Sequence, residues 1–363
     1  MKTRVFLMVA IMATFFGTTL SRPDTRAASL REEMVVKAKA EGSLVVVGSN
    51  ASLLRTGLDG FRRRYPFIKI TDLAMNTGST VNRVSLEAKA GRLTIDWAGI
   101  SEDGSEVLVR RGLNAKLDFP HLKDFEPGSQ PPHGLYVGGA ANPRIQGVYN
   151  TDLVSPQEVP KSWEDIGDPK WKGKTMISRS SEEFPGRLAW FWRDRTGNWN
   201  WDRAFELFRK IKAQDPVIGR GMYGGGQSVA AGEVAIFWFA VPSSVAQLAV
   251  QRGAPIGLIA FPKFFGALRA WNIFKNAPHP AAAWLFTDYL ISPEGQFEFS
   301  DKVGAYLPLN RKAKLGSLAQ WADNLGASVK NMVLLDLAKL EEIYDPAAQK
   351  KSQEFFFQLM GLR

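Results

Sequence analysis

Apolar runs that end in small polar residues alternate with helical patterns along the first third of the chain. The runs at 42–50, 68–75 and 94–101 predict buried strands, and the segment after each has apolar residues at helical spacing. Strands that alternate with helices pair in parallel and are covered by those helices. This part of the chain therefore predicts one α/β lobe built on a parallel sheet.

The same alternation starts again in the middle of the chain and predicts a second α/β lobe. A strand is expected near 144–149, and strand and helix patterns continue to an apolar run at 234–241. Gly232 and Pro242 bound this run, which is typical of a strand buried on both faces. More strand material follows at 257–275. Because the chain crosses between the lobes more than once, we expect a hinge and a cleft between them.

The N-terminal residues predict an export signal. Lys2 and Arg4 precede an apolar stretch at 5–20, and small residues suited to cleavage follow it. The stretch is shorter than the roughly 20 apolar residues that span a bilayer, so a membrane anchor is the weaker interpretation. We expect residues 1–27 to form a signal peptide and the mature protein to work in the periplasm.

Composition narrows the possible functions further. The chain has 363 residues, which suits two lobes, and no cysteine, which excludes disulfides, thiolate metal sites and a lipid-modified N-terminal cysteine. Its net charge is +10, but the basic residues are spread out and accompany no nucleic-acid-binding motif. We therefore expect no nucleic-acid partner and favour an anionic ligand or a solvated basic surface.

Catalytic and metal-binding patterns are weak. His121, His133 and His279 each stand next to a proline and lack the spacing of zinc ligands. No G-x-S-x-G nucleophile motif occurs. We therefore expect no enzyme, no metal site and no cofactor.

Small polar residues and glycines follow the predicted strands in segments that are expected to be loops. One of these is the glycine-rich stretch at 223–227, whose backbone N–H groups could bind an anion. In open α/β sheets ligands bind at the carboxyl ends of strands, and helix N-termini there offer N–H groups to anions. A hydroxyl at such a place is equally an ordinary helix N-cap, so each residue singly has two interpretations. Together they predict a ligand site in the cleft. The candidate residues are Ser49, Asn50, Thr77, Gly78, Ser79, Ser101, Arg179, Ser180, Ser181, Tyr223, Gly225, Gln227, Ser243 and Ser244.

Several segments, among them "YNTDLV", "PKSWEDIGDPKWKGK" and "NAPHPAAAWLFTDYLISPEGQ", resemble the solute-binding proteins of ABC importers, in the branch that contains the ferric-iron-binding proteins. The resemblance implies a periplasmic binding protein type II fold, with two α/β lobes, a hinge and an inter-lobe cleft. It also implies delivery of a solute to an inner-membrane permease. The lobe division expected on this basis is 28–142 for lobe 1, 143–258 for lobe 2, 259–305 for the return to lobe 1, and 306–363 for C-terminal helices that pack mainly on lobe 2.

The chain departs from the ferric-binding relatives at the place of their adjacent tyrosines, which reads Pro242-Ser243 here. Phenolates are hard donors suited to ferric iron, so we do not expect a bare ferric ion to bind. The preferred interpretation is a monomer that binds a small anionic organic solute. The alternatives are a binding protein for a metal chelate, an exported enzyme on the same scaffold, and a protein that presents its ligand to a membrane sensor.

Overall fold

The computed structural model describes residues 25–334 and 345–362, and its strands form two separate sheets. The strands are β1 (Ser43–Gly48), β2 (Lys69–Ala74), β3 (Trp97–Ser101), β4 (Val137–Arg144), β5 (Gly147–Asn150), β6 (Thr175–Ser178), β7 (Val217–Gly219), β8 (Ile236–Trp238), β9 (Ile256–Ile259), β10 (Phe264–Ile273), β11 (Leu307–Pro308) and β12 (Met332–Leu334).

Helices follow most strands and cover the sheets. They are α1 (Thr25–Glu41), α2 (Ala51–Gly57), α3 (Asp59–Arg64), α4 (Thr77–Lys89), α5 (Glu102–Arg110), α6 (Phe184–Phe191), α7 (Trp201–Ala213), α8 (Met222–Ala230), α9 (Ala246–Arg252), α10 (Pro280–Ile291), α11 (Pro293–Glu298), α12 (Ser317–Asn324) and α13 (Pro346–Met360). Within residues 25–334 and 345–362, no helix is long and apolar enough to cross a membrane.

The first sheet has the strand order β11-β4-β10-β3-β1-β2, with β12 beside β10. Strand β1 is parallel to β2 and β3, whereas β10 is antiparallel to both β3 and β4. Helix α10 is almost wholly buried and packs against α1 and β10, which explains its nearly continuous apolar sequence. The parallel pairing predicted for the strands of the first third is confirmed for β1, β2 and β3. The complete sheet is nevertheless mixed, because β10 is antiparallel to β3 and β4 and parallel to β12.

The second sheet has the order β7-β6-β8-β5-β9. Strand β6 is parallel to β7 and β8, and β5 is antiparallel to β8 and β9. In this sheet the antiparallel strands lie next to a connection, since β5 follows β4 and β9 precedes β10. Both sheets are thus mixed, and helices pack on each of them, as in an α/β protein with two lobes.

The chain passes from the first sheet to the second between Arg144 and Gly147, and it returns between Ile259 and Phe264. One strand had been expected near 144–149; the structure has two strands there, which belong to different sheets. In the C-terminal segment, β11 and β12 join the first sheet, while α13 packs on α6 and α7 beside the second. The lobe boundaries expected from the sequence remain a proposal.

Two sequence patterns form other elements than expected. The apolar run at 234–241 is buried, but only its centre is the strand β8, because Phe239 has a positive φ of 56° and ends the strand. The Phe239 ring packs between those of Phe184 and Phe208, at centroid distances of 4.8 and 5.1 Å. The glycine-rich stretch predicted as a loop is the helix α8.

Most of the predicted signal peptide, 1–24, lies outside the described residues, and its last residues, 25–27, begin α1.

Candidate functional site

The two lobes approach each other where β3, β4 and α5 of the first sheet face elements of the second. The Ser243 hydroxyl donates a hydrogen bond to Asn142 Oδ1 at 3.2 Å. Arg187 Nη1, on α6, lies 4.0 Å from Glu102 Oε1, at the start of α5. Each pair joins one lobe to the other, so the space beside them is the cleft between the lobes.

Charged side chains are concentrated at this junction. Glu183 Oε2 accepts a hydrogen bond from Arg187 Nη2 at 2.8 Å, and Glu183 Oε1 lies 3.7 Å from Arg144 Nη2. The side chains of Arg187, Glu102 and Arg144 are only 7%, 1% and 14% exposed. Buried charges are costly unless they are paired, so this pairing allows them to lie between the lobes.

Arg144 keeps hydrogen-bonding capacity that its neighbours do not use. Its Nε atom is buried and has no hydrogen-bond partner among the described residues. A buried donor without a partner costs about 1–3 kcal/mol, and more when it belongs to a charged group. A ligand oxygen placed at this atom would remove that cost.

The two adjacent carboxyl groups before α6 have pKa shifts of opposite sign. Burial, supported by the charge of Glu183, raises the pKa of Glu182 above its ordinary value. Burial also opposes ionisation of Glu183, but the Arg187 and Arg144 guanidinium groups outweigh it and hold the pKa of this carboxyl below its ordinary value. Glu183 is therefore the anion that balances the two arginines.

A third arginine lies at the carboxyl ends of the first-lobe strands. Arg269 Nη2, from β10, donates to Ser49 Oγ at 2.8 Å, and Arg269 is the pairing partner of Ser101 on β3. Ser101 Oγ lies 3.0 Å from Thr77 Oγ1 and donates to the Asp103 carboxylate. The structure thus brings the predicted residues Ser49, Thr77 and Ser101 to one sheet edge together with Arg269.

Other predicted residues of the first lobe have structural partners. Asn50 Nδ2 donates to the Val303 carbonyl at 3.3 Å and lies 3.4 Å from the Tyr306 hydroxyl. The backbone N–H of Ser79 donates to the Asn76 side chain at 2.8 Å, which is an ordinary helix N-cap for α4. Gly78 is exposed in the first turn of the same helix.

The predicted serines of the second lobe are divided among several environments. The Ser180 backbone N–H donates to Ser178 Oγ at 3.0 Å, and Ser244 Oγ donates to the Val241 carbonyl at 2.7 Å. Ser181 is buried, and its hydroxyl has no hydrogen-bond partner among the described residues. Ser243 forms a hydrogen bond with the opposite lobe, through Asn142.

The remaining predicted residues lie on helices or face outward. The exposed Arg179 guanidinium is stacked 5.5 Å from the centroid of the Phe357 ring on α13. Gly225 packs under the Phe237 ring within α8, and Gln227 on the same helix is exposed. Tyr223 is in the first turn of α8, and its side chain lies outside the described part of the structure. The glycine loop predicted to cradle an anion is therefore a helix packed on β8.

Sequence reasoning missed Arg144, Arg187 and Arg269 as site residues. The sequence did contain an indication for two of them. Arg187 is the single charged residue in "FPGRLAWF", and Arg269 is the single charged residue in "FFGALRAWNI". Arginine is rarely buried without a partner, so a lone arginine in an apolar run indicates a paired or functional charge.

A small cavity opens beside this charge cluster, with a volume of about 130 Å³. Asp103 lines it from the first lobe, and Glu182, Glu183 and Arg187 line it from the second. Within residues 25–334 and 345–362, no three His, Asp or Glu side chains come together in a group that could hold a metal ion. The cavity can accept a small polar group and offers it hydrogen-bond partners of both charges.

Comparison with known proteins agrees with this architecture. A curated relative, the "Fe(3+)-binding periplasmic protein" of Serratia marcescens, is 24% identical over 283 residues, covering 73% of this chain and 80% of the relative. The structure is similar to that of the periplasmic binding protein AfuA from Actinobacillus pleuropneumoniae with exogenous fructose-6-phosphate bound, with a TM-score of 0.69, 19% identity, and coverage of 89% of this chain and 99% of that one.

A second solved structure, Trichodesmium IdiA (FutA) in complex with iron and citrate ligands, matches with a TM-score of 0.65 and 18% identity, covering 88% of this chain and 99% of that one. At these identities the structural likeness shows the fold, which is that of the two-lobed periplasmic binding proteins. The family model described as "Bacterial extracellular solute-binding protein" matches residues 59–329. Because this match covers most of the 363 residues, the chain belongs to the family of bacterial extracellular solute-binding proteins.

Proposed function

We propose that this protein captures a small anionic organic solute between its two lobes in the periplasm and delivers it, as a monomer, to an ABC permease of the inner membrane. The observation that carries the proposal is the Arg144 side chain, which is largely buried at the lobe junction and whose Nε atom has no hydrogen-bond partner within 25–334 and 345–362. A carboxylate or phosphate oxygen is the natural partner of such a group, because charge-assisted hydrogen bonds to guanidinium are strong and directional.

The surrounding residues support an anion at this place. Arg187 adds positive charge from α6 through its pairing with Glu183 and Glu102. Farther along the sheet edge, Arg269 on β10 adds a guanidinium that donates to Ser49 and stands opposite Ser101 in the strand pairing. Glu183 balances part of the positive charge when no solute is bound. A solute anion would share these guanidinium groups with Glu183 and would draw contacts from both lobes, which favours their closure.

A chelated metal is the second candidate. The Serratia relative is named for Fe(3+), and the Trichodesmium structure is in complex with iron and citrate. The tyrosine pair expected of ferric-binding relatives is replaced here by Pro242-Ser243, so iron would have to arrive within an anionic chelate. The arginine cluster would then bind the chelate rather than the metal.

A thermal-shift panel distinguishes these candidates. The ligand-stripped protein is heated with fructose 6-phosphate, citrate, inorganic phosphate, ferric citrate, or ferric ion without a chelator. A solute at 100 times its Kd adds about 2.7 kcal/mol to the free energy of unfolding. Stabilisation by an organic anion is expected. Stabilisation by ferric ion alone, together with a visible charge-transfer band, would contradict the proposal, and turnover of any added compound would favour an enzyme.

The substitution Arg144→Met tests the residue that carries the proposal. Methionine keeps an apolar stem but removes the guanidinium, and hydrogen bonds to charged groups contribute about 1.5–3 kcal/mol. We expect the Kd of the best anion in the panel to rise about 10- to 100-fold in isothermal titration calorimetry. Arg63→Met, at an exposed position on α3, is the matched control. Equal affinity in the two variants would refute the role of Arg144.

A further inference from the structure

Helix α13 is fastened to the second lobe at the start of α6. The buried Ser352 hydroxyl accepts a hydrogen bond from the Gly186 N–H at 2.9 Å and donates one to the Glu182 carbonyl at 2.7 Å. Aromatic contacts hold the helix farther along, since the Phe355 ring stacks on Phe205 at a centroid distance of 3.7 Å. The helix therefore has a defined position next to Glu183 and Arg187, which follow Glu182 in the chain.

The N-terminal half of α13 extends from this anchor toward the first lobe. Gln349 lines the cavity of about 130 Å³ together with Arg187 and Asp103. It also lines a neighbouring cavity of about 370 Å³, whose other walls include Thr77 and Asp103 at the starts of α4 and α5. Gln349 thus lies between the lobes, and Gln353, one helical turn later, lines the smaller cavity.

The side chains that line the smaller cavity can form hydrogen bonds with hydroxyl groups. Gln349 and Gln353 are neutral amides that can donate and accept, and Asp103 and Glu182 add carboxyl oxygens. One of these oxygens, Glu182 Oε2, is buried without a hydrogen-bond partner among the described residues. A second oxyanion would be repelled by Asp103, Glu182 and Glu183, which all line this cavity. A hydroxyl group can donate to Glu182 Oε2 and exchange hydrogen bonds with the glutamine amides, so it fits the lining.

We infer that α13 forms a third wall of the solute cleft, and that Gln349 and Gln353 bind hydroxyl groups of a solute whose anionic group lies on Arg144. This inference rests on the proposed function and narrows the solute to a hydroxylated anion. It also assigns part of the site to the C-terminal helix, which follows both sheets in the chain.

Isothermal titration calorimetry with two probes tests the role of the glutamines. Fructose 6-phosphate has sugar hydroxyl groups in addition to its phosphate, whereas inorganic phosphate has only the phosphate group. A neutral hydrogen bond contributes about 0.5–1.5 kcal/mol, so Gln349→Ala and Gln353→Ala should each weaken fructose 6-phosphate binding about two- to tenfold. The affinity for inorganic phosphate should be unchanged.

The matched control is Gln358→Ala, an exposed glutamine of the same helix that lines neither cavity. It should leave both affinities at the wild-type value. Fructose 6-phosphate affinity that is as high in Gln349→Ala and Gln353→Ala as in Gln358→Ala would overturn the inference. An equal loss for inorganic phosphate would also overturn it, because the glutamines would then act on the anionic group or on the fold.

A cross-linking experiment tests the wall without any solute. The chain has no cysteine, so Asp103→Cys combined with Gln349→Cys gives one reactive pair across the cleft. A short bis-maleimide should join the two thiols and produce a compact band on denaturing gels. The control pair, Asp103→Cys with Gln358→Cys, places the second thiol about 13 Å farther along the helix and should stay unlinked.

The two experiments separate the two proposals. If no anion in the panel stabilises the wild-type protein, the proposed function fails, and the cross-link alone then decides whether α13 closes the cleft. If the Asp103 and Gln349 pair does not cross-link, α13 does not reach the first lobe and the inference fails, whatever the protein binds.

Discussion

At the scale of single residues, Glu182 and Glu183 show how neighbouring carboxyl groups acquire different roles. Glu183 lies beside two guanidinium groups and remains an anion, whereas burial raises the pKa of Glu182. When the pKa of an acid is higher in the folded than in the unfolded state, its protonated form contributes to the free energy of unfolding. This contribution is complete at pH values below the unfolded-state pKa. It is lost as pH rises through the folded pKa.

The direction of the Glu182 pKa shift predicts how the effect of Glu182→Gln on stability changes with pH. The unfolded pKa of glutamate is about 4.3, and glutamine is neutral throughout. We expect the Tm of the variant, relative to the wild type, to increase as pH rises from about 4 to about 7, because only the wild type must ionise a buried carboxyl group. Thermal unfolding without solute measures the difference.

The exposed Glu206→Gln on α7 serves as the control for removing a surface carboxylate. A Tm difference for Glu182→Gln that stays constant or shrinks with rising pH would contradict the assignment.

At the scale of elements, α8 shows why a glycine-rich stretch is not always a loop. A Cβ atom added at Gly225 would lie 2.6 Å from atoms of the Phe237 ring, so the helix can approach β8 only where a side chain is missing. A Cβ atom added at Gly224 would have no atom of the described residues within 4 Å. Gly225 therefore allows α8 to pack closely on β8, whereas Gly224 is not needed for this packing.

This difference predicts opposite effects for two alanine substitutions. Gly225→Ala should lower the free energy of unfolding by about 1–3 kcal/mol, because the methyl group overpacks a buried aromatic contact. Gly224→Ala should raise it by up to about 1 kcal/mol, because alanine is the better helix former. Urea unfolding of both variants measures the effects. Equal stabilisation by both would show that α8 does not pack closely on β8.

In the whole molecule, the chain connects the two sheets directly at 144–147 and at 259–264, and the C-terminal segment adds β12 to the first sheet and α13 to the second lobe. Side chains such as Asn142 and Ser243 meet between the lobes. Short connections between otherwise separate sheets are the arrangement that allows hinge closure around a ligand. Because the proposed solute contacts both lobes, its binding should change their relative position and leave each sheet unchanged.

Spin labels can measure this closure. One pair of labels is placed across the lobes at Lys89→Cys and Lys210→Cys, and a control pair within the first lobe at Lys89→Cys and Lys123→Cys; all three positions are exposed. We expect the solute that stabilises the protein most to shorten the distance of the first pair by several ångströms, because hinge closure brings the lobes together. The control distance should not change. An unchanged inter-lobe distance would contradict closure.

The α/β class and the two lobes follow from the sequence, because burial periodicity and turn chemistry are local properties of the chain. The solute-binding family followed from the resemblance of segments such as "YNTDLV" and "PKSWEDIGDPKWKGK". The sequence also placed Ser49, Thr77 and Ser101 at one sheet edge, since residues that follow parallel strands meet there; their role in binding remains a prediction. The sequence-based prediction extended β8 too far, because an apolar run indicates burial but not where a strand ends. It predicted a loop for α8, because glycines indicate backbone freedom but not the conformation that packing imposes.

The side chains that meet between the lobes could be found only from the folded chain. Arg144 on β4 and Arg187 on α6 meet at Glu183, and α13 reaches Arg187 from the C-terminal segment. Arg269 on β10 meets Ser49 at the sheet edge. These segments are far apart in the chain, and no local pattern records which strands will pair or which helix will cover them. Their convergence depends on non-local sheet pairing and packing, so the charge cluster became visible only when the chain was folded.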